Sequence, residues 1–476
     1  MDTREFDSLI QKIVEHIYTP RRSSDGARTM ARYALLDSIG CALAALGNPS
    51  CCNLLNATTF SQNYNNGARI PGTRTVLAPV EAAFHIGTLI RWLEFNDTWL
   101  AQEWGHPSDN LGAILAVADW MSREQQRQGL AELHMGDVLE VMIRSYEVHG
   151  VLCLENCFNA LGIDHVIFVK VVSAAAASYL MGLEHEQALN AVSNAFIDGH
   201  ALRTYRHAPN AGTRKSWAAG DASARGVQLA LFSRAGEMGY PSALSASKWG
   251  FNDALFRGQA LSMSRVLGEY VINNILFKVP NPAEYHAQTA VEAAIGLHAQ
   301  MRAQGIGIDA IERIQIHTQK PAMQIINKRG HLNNPADRDH CLQYMVAVAL
   351  LTGDLTSADF EAPMADNAQV EELRRKMHCE ECPTFTANYY AEDKRSIGNR
   401  LKIHFRGTTP ALEATLEYPL GHRLRRAECF PLLLEKFRRN AAEHYQPERI
   451  LALENLIGDA ARLETLPVHA FMSALI

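Results

Sequence analysis

The sequence predicts a mainly α-helical protein with a smaller α+β domain. Three observations support this fold class. Apolar residues recur every three or four positions through the first half of the 476-residue chain, which is the period of an amphipathic helix. After about residue 270, several segments instead alternate apolar and polar residues, as strands do. The last segment, from about residue 429, returns to the helical period.

Helices are predicted wherever the helical period continues over ten or more residues. In residues 27–46, the side chains of Leu36, Ile39 and Leu43 fall on one face, and Gly47 follows as a stop signal. Further helices of this kind are predicted over residues 80–93, 109–121, 137–149, 169–181 and 185–195. Alanine is abundant in them, and small residues let helices approach closely, so we expect a tightly packed bundle.

The remaining segments predict turns, a small sheet and a helical tail. Residues 52–76 are polar and rich in turn residues, and they predict turns with a short hairpin. Strands are predicted over residues 311–317, 400–405 and 412–418. Helices are predicted over residues 289–301 and 337–351 beside these strands, and over 429–442 and 448–463 in the tail. This order predicts helices packed against a small sheet.

The composition excludes several classes of protein. Hydrophobic residues make up 47% and charged residues 20%, which excludes a disordered chain. A net charge of −6 argues against a general nucleic-acid binder, and no apolar run is long enough to predict a membrane span. The first residues lack the apolar core of a secretory signal. Nine scattered cysteines fit a reducing compartment, so we expect a cytoplasmic protein.

The stretch RWLEFNDTWLAQEWGHPSDN, residues 91–110, is the most informative part of the sequence. A predicted helix ends there, and a loop follows that contains Asp97, Glu103 and His106 among three tryptophans. Loops that are anchored by aromatic residues and dense in titratable groups are typical of functional sites. A structural interpretation is also open, in which Ser108 caps the next helix. The two interpretations are compatible.

A basic cluster stands out in this acidic chain. Within 13 positions the sequence places four fixed cations and no acidic residue: Arg203, Arg206, Arg214 and Lys215. The turn at residues 209–212 could add backbone N–H groups, so the stretch predicts a pocket for carboxylate or phosphate groups. A solvated basic loop, or contact with an acidic partner subunit, is the alternative.

Two later residues are candidates for proton transfer. Lys278 lies between apolar neighbours, and a partly desolvated lysine suits acid or base chemistry, although a lysine at a domain edge can simply extend to solvent. Tyr344 falls two turns into a predicted helix, where a tyrosine is more often part of the core.

Cys379 and Cys382 form a CxxC pair, but their acidic surroundings do not favour a metal cluster, so we expect no metal and no cofactor.

The long motifs of this sequence resemble those of the MmgE/PrpD family. The resemblance rests on the stretch from residue 91, RTYRHAPNAGTRKSWAAGDA from residue 203, EMGYPSAL, NNPADRDHCLQYMVA and EYPLGHRLRR, and it covers essentially the whole chain. It implies a large helical domain from both chain ends, residues 1–268 and 409–476, with a smaller, lid-like α+β domain at 269–408. It also implies a homodimer without a cofactor that acts on a small tricarboxylate.

The resemblance also assigns site residues, one position at a time. It implies catalytic roles for Glu94, His106, His165, Lys278 and Tyr344. It implies substrate binding by Thr98 and Lys215, to which the local sequence adds Asp97, Arg203 and Arg206. Glu94 occupies a position where relatives commonly have Asp, so its carboxylate reaches one methylene further.

The implied activity is that of a hydro-lyase that dehydrates 2-methylcitrate without a cofactor. Citrate and cis-aconitate are further candidate substrates. A tricarboxylate decarboxylase or an epimerase of the same family is the first alternative. A non-catalytic, tricarboxylate-binding homologue is the second, and it is disfavoured because His106, His165, Lys215, Lys278 and Tyr344 are all present.

Overall fold

A computed structural model describes residues 5–60, 64–207 and 209–476, and the chain divides into two compact units. Unit 1 comprises Met1–Thr204, Arg214–Ile275 and Leu433–Ile476, and unit 2 comprises Tyr205–Thr213 and Leu276–Leu432. Unit 1 consists of helices with two very short strand pairs, whereas unit 2 combines helices with a four-stranded sheet. The predicted fold class, mainly α with a smaller α+β part, is therefore confirmed.

The first part of unit 1 follows the predicted helical periods closely. Its helices are α1 Ser8–Tyr18, α2 Asp25–Ala45, α3 Pro49–Ala57, α4 Pro79–Arg91, α5 Leu111–Gln128, α6 Met135–Glu155, α7 Val166–Leu180, α8 His185–Ile197, α9 Arg214–Arg234, α10 Phe251–Ala254 and α11 Tyr270–Asn274. Its strand pairs are antiparallel: β1 Ala68–Arg69 with β2 Val76–Leu77, and β3 Trp99–Leu100 with β4 Trp104–Gly105.

Glycines bring three of these helices into close contact. A Cβ atom on Gly220 of α9 would lie 2.5 Å from Thr88 Oγ1 and 2.6 Å from the Phe84 carbonyl oxygen, both on α4. A Cβ atom on Gly112 of α5 would lie 2.9 Å from the Cα of Gly87, also on α4. These distances leave no room for a side chain, so the backbones themselves are in contact. The expected tight packing through small residues is present here.

Unit 2 contains the sheet and the helices that cover it. Its strands are β5 Ile311–Thr318, β6 Met377–Glu381, β7 Asn399–Phe405 and β8 Leu412–Leu416, in the order β6-β5-β7-β8. Only β5 and β6 are parallel. Its helices are α12 Gln288–Ala303, α13 Lys320–Ile325, α14 Pro335–Arg338, α15 Leu342–Thr352, α16 Ala368–Arg375 and α17 Pro383–Tyr390. Alternate residues of β5 and β7 face a core shared with α12 and α15.

The C-terminal helices are α18 Arg426–Ala441, α19 Pro447–Gly458, α20 Ala460–Glu464 and α21 Val468–Ala474. Within unit 1, the buried Lys436 of α18 donates to the carbonyl oxygen of Phe95 at 2.6 Å and lies 2.6 Å from Asp37 Oδ1. This contact ties the segment that follows α4 to the C-terminal part of the chain.

Several details differ from the sequence-based expectations. Residues 52–57, expected to be turns, complete α3, and the hairpin of β1 and β2 forms only further on. The helix expected over 337–351 is broken at Cys341, which has an extended backbone and precedes α15. The expected tail helix over 448–463 is likewise divided, at Asp459, into α19 and α20. The pair Cys379 and Cys382 lies in β6 and just before α17.

Unit 2 also ends later in the chain than the predicted return at residue 409. β8 pairs with β7 from Leu412 opposite Ile403 to Leu416 opposite Asn399, so both strands belong to one sheet. A boundary at residue 409 would separate these paired strands. The pairing of the hairpin therefore places β8 in unit 2, which continues to Leu432.

No single helix in the described part of the chain is long and apolar enough to cross a membrane. Only α2 and α3 taken together reach that length and composition, and the chain bends by 89° between them.

Candidate active site

His106 lies at the end of β4, in the loop that the sequence singled out. The strand pair of β3 and β4 places Gly105 opposite Trp99, whose indole N–H donates to the carbonyl oxygen of Gly150 at 3.0 Å. A Cβ atom on Gly105 would lie 2.7 Å from Nε2 of the buried His149, so only glycine fits at this position. His106 is therefore held in place directly after a strand that rests on α6, and it is 8% exposed.

Asp97 anchors this loop from inside. Its Oδ1 accepts a hydrogen bond from Ser108 Oγ at 2.7 Å, and its Oδ2 accepts one from the Tyr146 hydroxyl at 2.6 Å. Burial raises the pKa of Asp97 to about 6, against the opposing effect of these donors. One oxygen is thus bonded to Ser108 of the loop and the other to Tyr146 of α6, and Ser108 donates to Asp97 instead of capping a helix as expected. The geometry favours an anchoring role for Asp97 over the predicted contact with substrate.

The hydrogen bonds of His106 define its tautomer. Nδ1 lies 2.5 Å from the Asp97 carbonyl oxygen, which can only accept, so Nδ1 carries the hydrogen. Nε2 lies 2.9 Å from Nη2 of Arg91, which can only donate, so Nε2 is the acceptor. Thr98 Oγ1 is 3.3 Å from Nδ1. His106 is therefore the neutral Nδ1–H tautomer, with the lone pair of Nε2 directed at a guanidinium group.

Arg91 and Lys215 flank a buried carboxylate at the end of α4. Glu94 contacts Arg91 Nη1 through Oε2, and its Oε1 lies 3.9 Å from Lys215 Nζ. The backbone of Glu94 has a φ of 54°, the left-handed conformation that is unusual for a residue with a side chain. Strain of this kind concentrates at functional sites, where surrounding contacts maintain it.

His165 and Arg203 complete the cluster within unit 1. The rings of His165 and His106 have centroids 5.9 Å apart. His165 Nδ1 is 3.5 Å from Asp164 Oδ1, and Arg203 Nη1 is 3.7 Å from the other oxygen of Asp164. Two histidines therefore share a buried space with Arg203 and with the pair of Arg91 and Lys215.

Glu103 lies next to Arg203 and is almost completely buried. Its Oε1 is 3.7 Å from Arg203 Nη1, and its Oε2 accepts the backbone N–H groups of Phe158 at 2.6 Å and Asn159 at 2.7 Å. The Arg203 guanidinium also lies 5.4 Å from the ring centroid of Trp104. Burial raises the pKa of Glu103 to about 7, although Arg203 and the backbone donors oppose the shift.

Lys215 and Arg203 are not the loop cations that the sequence suggested. Lys215 is the second residue of the 21-residue helix α9, and Arg203 begins a short 3-10 helix. Both are buried, at 3% and 8% exposure. The helix α9 as a whole was not among the predicted helices, and the turn at residues 209–212 precedes it directly.

Three predicted site residues belong to unit 2. Lys278 is 1% exposed, and its charge contributes to a lowered pKa of the buried Glu284, whose main stabilising partner is His286. Arg206 is half-buried against the ring of Tyr205, at 5.2 Å from the centroid. Tyr344 donates its hydroxyl to the Asp359 carbonyl oxygen at 2.5 Å within the core, which favours the structural interpretation of that residue.

The sequence missed Arg91 as a site residue, although it opens the motif from residue 91. The available signal was its spacing of three from Glu94 in the sequence; in the structure the two side chains pair although α4 ends at Arg91 and Glu94 lies beyond it. Asp164, by contrast, gave no signal in the sequence, since its contact with Arg203 joins distant segments. As for metals, the described residues contain no group of three or more His, Cys, Asp or Glu side chains that could hold an ion.

Comparison with known proteins places this geometry in a family context. Residues 11–264 match the MmgE/PrpD N-terminal domain, and residues 282–457 match the MmgE/PrpD C-terminal domain. The chain is 51% identical over 471 residues to the 2-methylcitrate dehydratase of Escherichia coli (strain K12), covering 98% of this chain and 97% of that protein. It is 50% identical over 468 residues to the 2-methylcitrate dehydratase of Salmonella typhimurium (strain LT2), with the same coverage.

A somewhat less similar relative also matches most of the chain. The chain is 48% identical over 454 residues to the mitochondrial 2-methylcitrate dehydratase of Yarrowia lipolytica, covering 94% of this chain and 87% of that protein.

Proposed function

The chain belongs to the MmgE/PrpD family, and we propose that it is a hydro-lyase that dehydrates 2-methylcitrate to cis-2-methylaconitate. One observation carries the proposal: about half of all residues are identical, over nearly the full length of both proteins, to 2-methylcitrate dehydratases of bacteria. The cluster around His106 supplies the groups that this chemistry requires.

The reaction removes a proton from one carbon and a hydroxyl group from its neighbour. The proton lies α to a carboxylate, so negative charge develops on that carboxylate as a general base takes the proton. The C=C bond then forms, the C–O bond breaks, and a general acid supplies a proton so that the hydroxyl leaves as water. Positive groups fixed near the developing charge lower the barrier. The substrate itself carries about three negative charges at neutral pH.

His106 is the proposed base, since its Nε2 carries a lone pair and its Nδ1–H is fixed by the Asp97 carbonyl oxygen. Arg91 holds that lone pair at 2.9 Å, and a substrate carboxylate that pairs with Arg91 would release it. Charge-assisted pairing with a planar guanidinium is strong and specific for carboxylates. Binding of the substrate and activation of the base are therefore coupled through one arginine.

The other residues of unit 1 divide into a second proton carrier and carboxylate clamps. His165, with its ring centroid 5.9 Å from that of His106, is the proposed partner in proton transfer. Arg203 and Lys215 are the proposed clamps for the remaining carboxylates, and Glu94 orients Lys215 and Arg91. In unit 2, Lys278 and Tyr344 stay candidates for the catalytic roles that the family resemblance implied, and Arg206 stays a candidate for substrate binding.

The proposal also covers assembly and location. The enzyme is a cytoplasmic homodimer that acts on a small molecule and binds neither nucleic acid nor membrane. All nine cysteines are free thiols, which is typical of proteins in a reducing compartment, and the net charge of −6 disfavours nucleic acid. Light scattering of the purified protein tests the dimer.

Product identification tests the activity. The purified chain is incubated with 2-methylcitrate, and parallel samples receive citrate and cis-aconitate. Proton NMR spectroscopy distinguishes the new alkene of a dehydration from loss of CO₂ and from an inverted stereocentre. We expect cis-2-methylaconitate and water. Release of CO₂ would instead indicate the decarboxylase alternative, and binding without turnover would indicate a non-catalytic homologue.

A further inference from the structure

Unit 2 contains a cavity with a strong excess of positive charge. Its volume is about 290 Å³, and its charged lining consists of Lys328, Arg329, Arg374 and Arg375 against the single carboxylate of Glu371. None of the predicted active-site residues lines this cavity. Four cations around one small space are unexpected in a chain whose net charge is −6.

Arg374 at this cavity is a buried guanidinium with donor capacity to spare. Its side chain is 8% exposed, Nη1 contacts Glu371, and Nη2 donates to the Gly330 carbonyl oxygen at 3.0 Å. Nε is buried, and among the residues that the structure describes it has no hydrogen-bond partner. A buried charged donor that lacks a partner is costly, because water has been removed from it without compensation. An acceptor in the cavity would remove that cost.

Internal ion pairs leave part of the positive charge uncompensated. Glu371 contacts Arg374 and lies 3.7 Å from Arg375 Nε, while Lys328 Nζ lies 3.2 Å from Asp337 Oδ1. Within the described chain, Arg329 has no ion-pair partner. Four cations against the two carboxylates of Glu371 and Asp337 leave a net charge of +2 around the cavity.

Hydrogen bonds hold Gln343, a buried residue in the lining of the cavity. Gln343, buried at 5% exposure, donates through Nε2 to Asn327 Oδ1 at 2.6 Å and to Cys379 Sγ at 3.4 Å. Its Oε1 accepts from Cys341 Sγ at 3.5 Å. A polar side chain that is held by hydrogen bonds therefore lines the cavity together with the cations. Binding of a ligand requires little reorganisation of this side chain.

We propose that this cavity is a second binding site, for a small oxyanion with two or more negative charges. The planar guanidinium of Arg374 suits phosphate and carboxylate groups, and Arg329 supplies the charge that no protein carboxylate neutralises. The volume lies at the lower end of small-molecule pockets, which limits the ligand to a compact phosphate ester or polycarboxylate. The site is independent of the proposed dehydration, since it shares no residue with the cluster around His106.

Titration calorimetry of the full chain at low salt tests the proposal, with inorganic pyrophosphate as the probe. We expect one saturable site per chain. Arg374→Gln and Arg329→Gln should each weaken binding by about tenfold or more, the usual effect of losing a charge-assisted hydrogen bond. Arg329 is exposed, so its variant keeps the fold even if Arg374→Gln does not. Arg302→Gln, an exposed arginine in the last turn of α12, is the control and should bind as the parent does.

Two further measurements make the result unambiguous. Tricarballylate in place of pyrophosphate separates a site for polycarboxylates from a site for phosphate esters. Repeating the titration with Lys215→Gln identifies binding at the cluster of unit 1, which would respond to that change and not to Arg329→Gln. Absence of saturable pyrophosphate and tricarballylate binding to the parent, or equal binding by the parent and Arg329→Gln, would overturn the proposal.

Discussion

At the scale of single residues, the neighbours of His106 decide which ring nitrogen can accept a proton. The Asp97 carbonyl oxygen fixes the hydrogen on Nδ1, and Arg91 faces the lone pair on Nε2. Arg91 also contacts Glu94, whose other oxygen approaches Lys215. One arginine thus connects the proposed base to the proposed carboxylate clamp. Replacing Arg91 should therefore lower the catalytic activity by more than any loss of protein stability would explain.

Arg91→Gln is expected to lower kcat/KM for 2-methylcitrate by about 10- to 150-fold. A charge-assisted hydrogen bond to a carboxylate contributes about 1.5–3 kcal/mol, and 1.4 kcal/mol corresponds to a factor of ten. Steady-state kinetics on a variant with a native circular dichroism spectrum measures the effect. Arg127→Gln, an exposed arginine on α5, is the matched control. A folded Arg91→Gln variant with parental kcat/KM would remove Arg91 from the site.

Glu103 should make the stability of the protein depend on pH. Burial raises its pKa from 4.5 to about 7 in the folded state. The stability that the protonated carboxyl provides is complete below about pH 4.5 and is lost as the pH rises through about 7. The shift corresponds to on the order of 3 kcal/mol.

We therefore expect the Tm of the parent to fall between pH 5 and pH 8 by several degrees more than that of Glu103→Gln. Glutamine keeps the carbonyl acceptor but cannot ionise. Differential scanning calorimetry across this range measures the difference, and Glu186→Gln on the exposed side of α8 is the control. Parallel pH profiles for the parent and Glu103→Gln would show that Glu103 does not titrate in this range.

The sequence identified most of the cluster but not its connections. Glu94, Thr98, His106, His165, Arg203 and Lys215 were all named from motifs, and unit 1 brings them together. Asp97 was predicted to contact substrate, and that stays a prediction; its observed bonds to Ser108 and Tyr146 gave no signal, because a buried loop anchor and a substrate ligand have the same local sequence. Asp164 was missed because its partner Arg203 is 39 positions away, and no local pattern records that pairing.

At the scale of elements, glycine contacts determine where the site residues lie. α4 ends at Arg91, α9 begins at Arg214, and their backbones touch at Gly220 and Gly87. The ends of these helices carry Arg91 and Lys215. A change in helix separation at the glycines would therefore move both cations.

Gly220→Ala is expected to destabilise the protein by about 1–3 kcal/mol, since the added Cβ would lie 2.5 Å from Thr88 Oγ1. The same change should reduce kcat/KM, because α9 must shift away from α4. Gly296→Ala on α12 is the control: a Cβ there meets nothing within 4 Å, and we expect it to stabilise by about 0.5–1 kcal/mol. Chemical denaturation and kinetics provide both readouts. Unchanged stability in Gly220→Ala would contradict the close-contact account.

The strand β6 and the break before α15 were missed because their patterns are polar or irregular, whereas α1 and α9 were missed although both are regular helices. β6 reads Met377–Glu381, with three exposed positions, and it becomes a strand only because β5 offers a paired edge. The break between α14 and α15 at Cys341 interrupts an otherwise helical run without any glycine. Long helices such as α2 and α7 were predicted correctly, since the spacing of their apolar residues depends on local sequence alone.

At the scale of the whole molecule, the matches to the MmgE/PrpD N-terminal and C-terminal domains, residues 11–264 and 282–457, correspond only broadly to the two units. The chain leaves unit 1 first for Tyr205–Thr213, leaves it again after Ile275 and returns at Leu433. The sequence indicated the passage from unit 1 to unit 2, because the spacing of apolar residues changes from helical to alternating after about residue 270. It misplaced the return by about two dozen residues, since the pairing of β8 with β7 is a non-local contact.

Activity is expected to survive treatment with a chelator. The proposed elimination uses only protons and fixed charges, and Cys379 already accepts a hydrogen bond from Gln343 within unit 2. Activity after dialysis against EDTA, together with that of a Cys379→Ser, Cys382→Ser double variant, measures this independence. Loss of activity on chelation that added iron restores would contradict it.

The most direct test of His106 as the general base is the kcat for 2-methylcitrate dehydration of His106→Asn beside that of the parent. Removing a positioned general base typically costs about 10²- to 10⁴-fold in rate, so we predict a loss of at least about 10²-fold. His444→Asn, an exposed histidine in unit 1, should retain parental kcat. Substrate should still bind to His106→Asn, since Arg91, Arg203 and Lys215 remain. A folded His106→Asn variant with near-parental kcat would contradict the account.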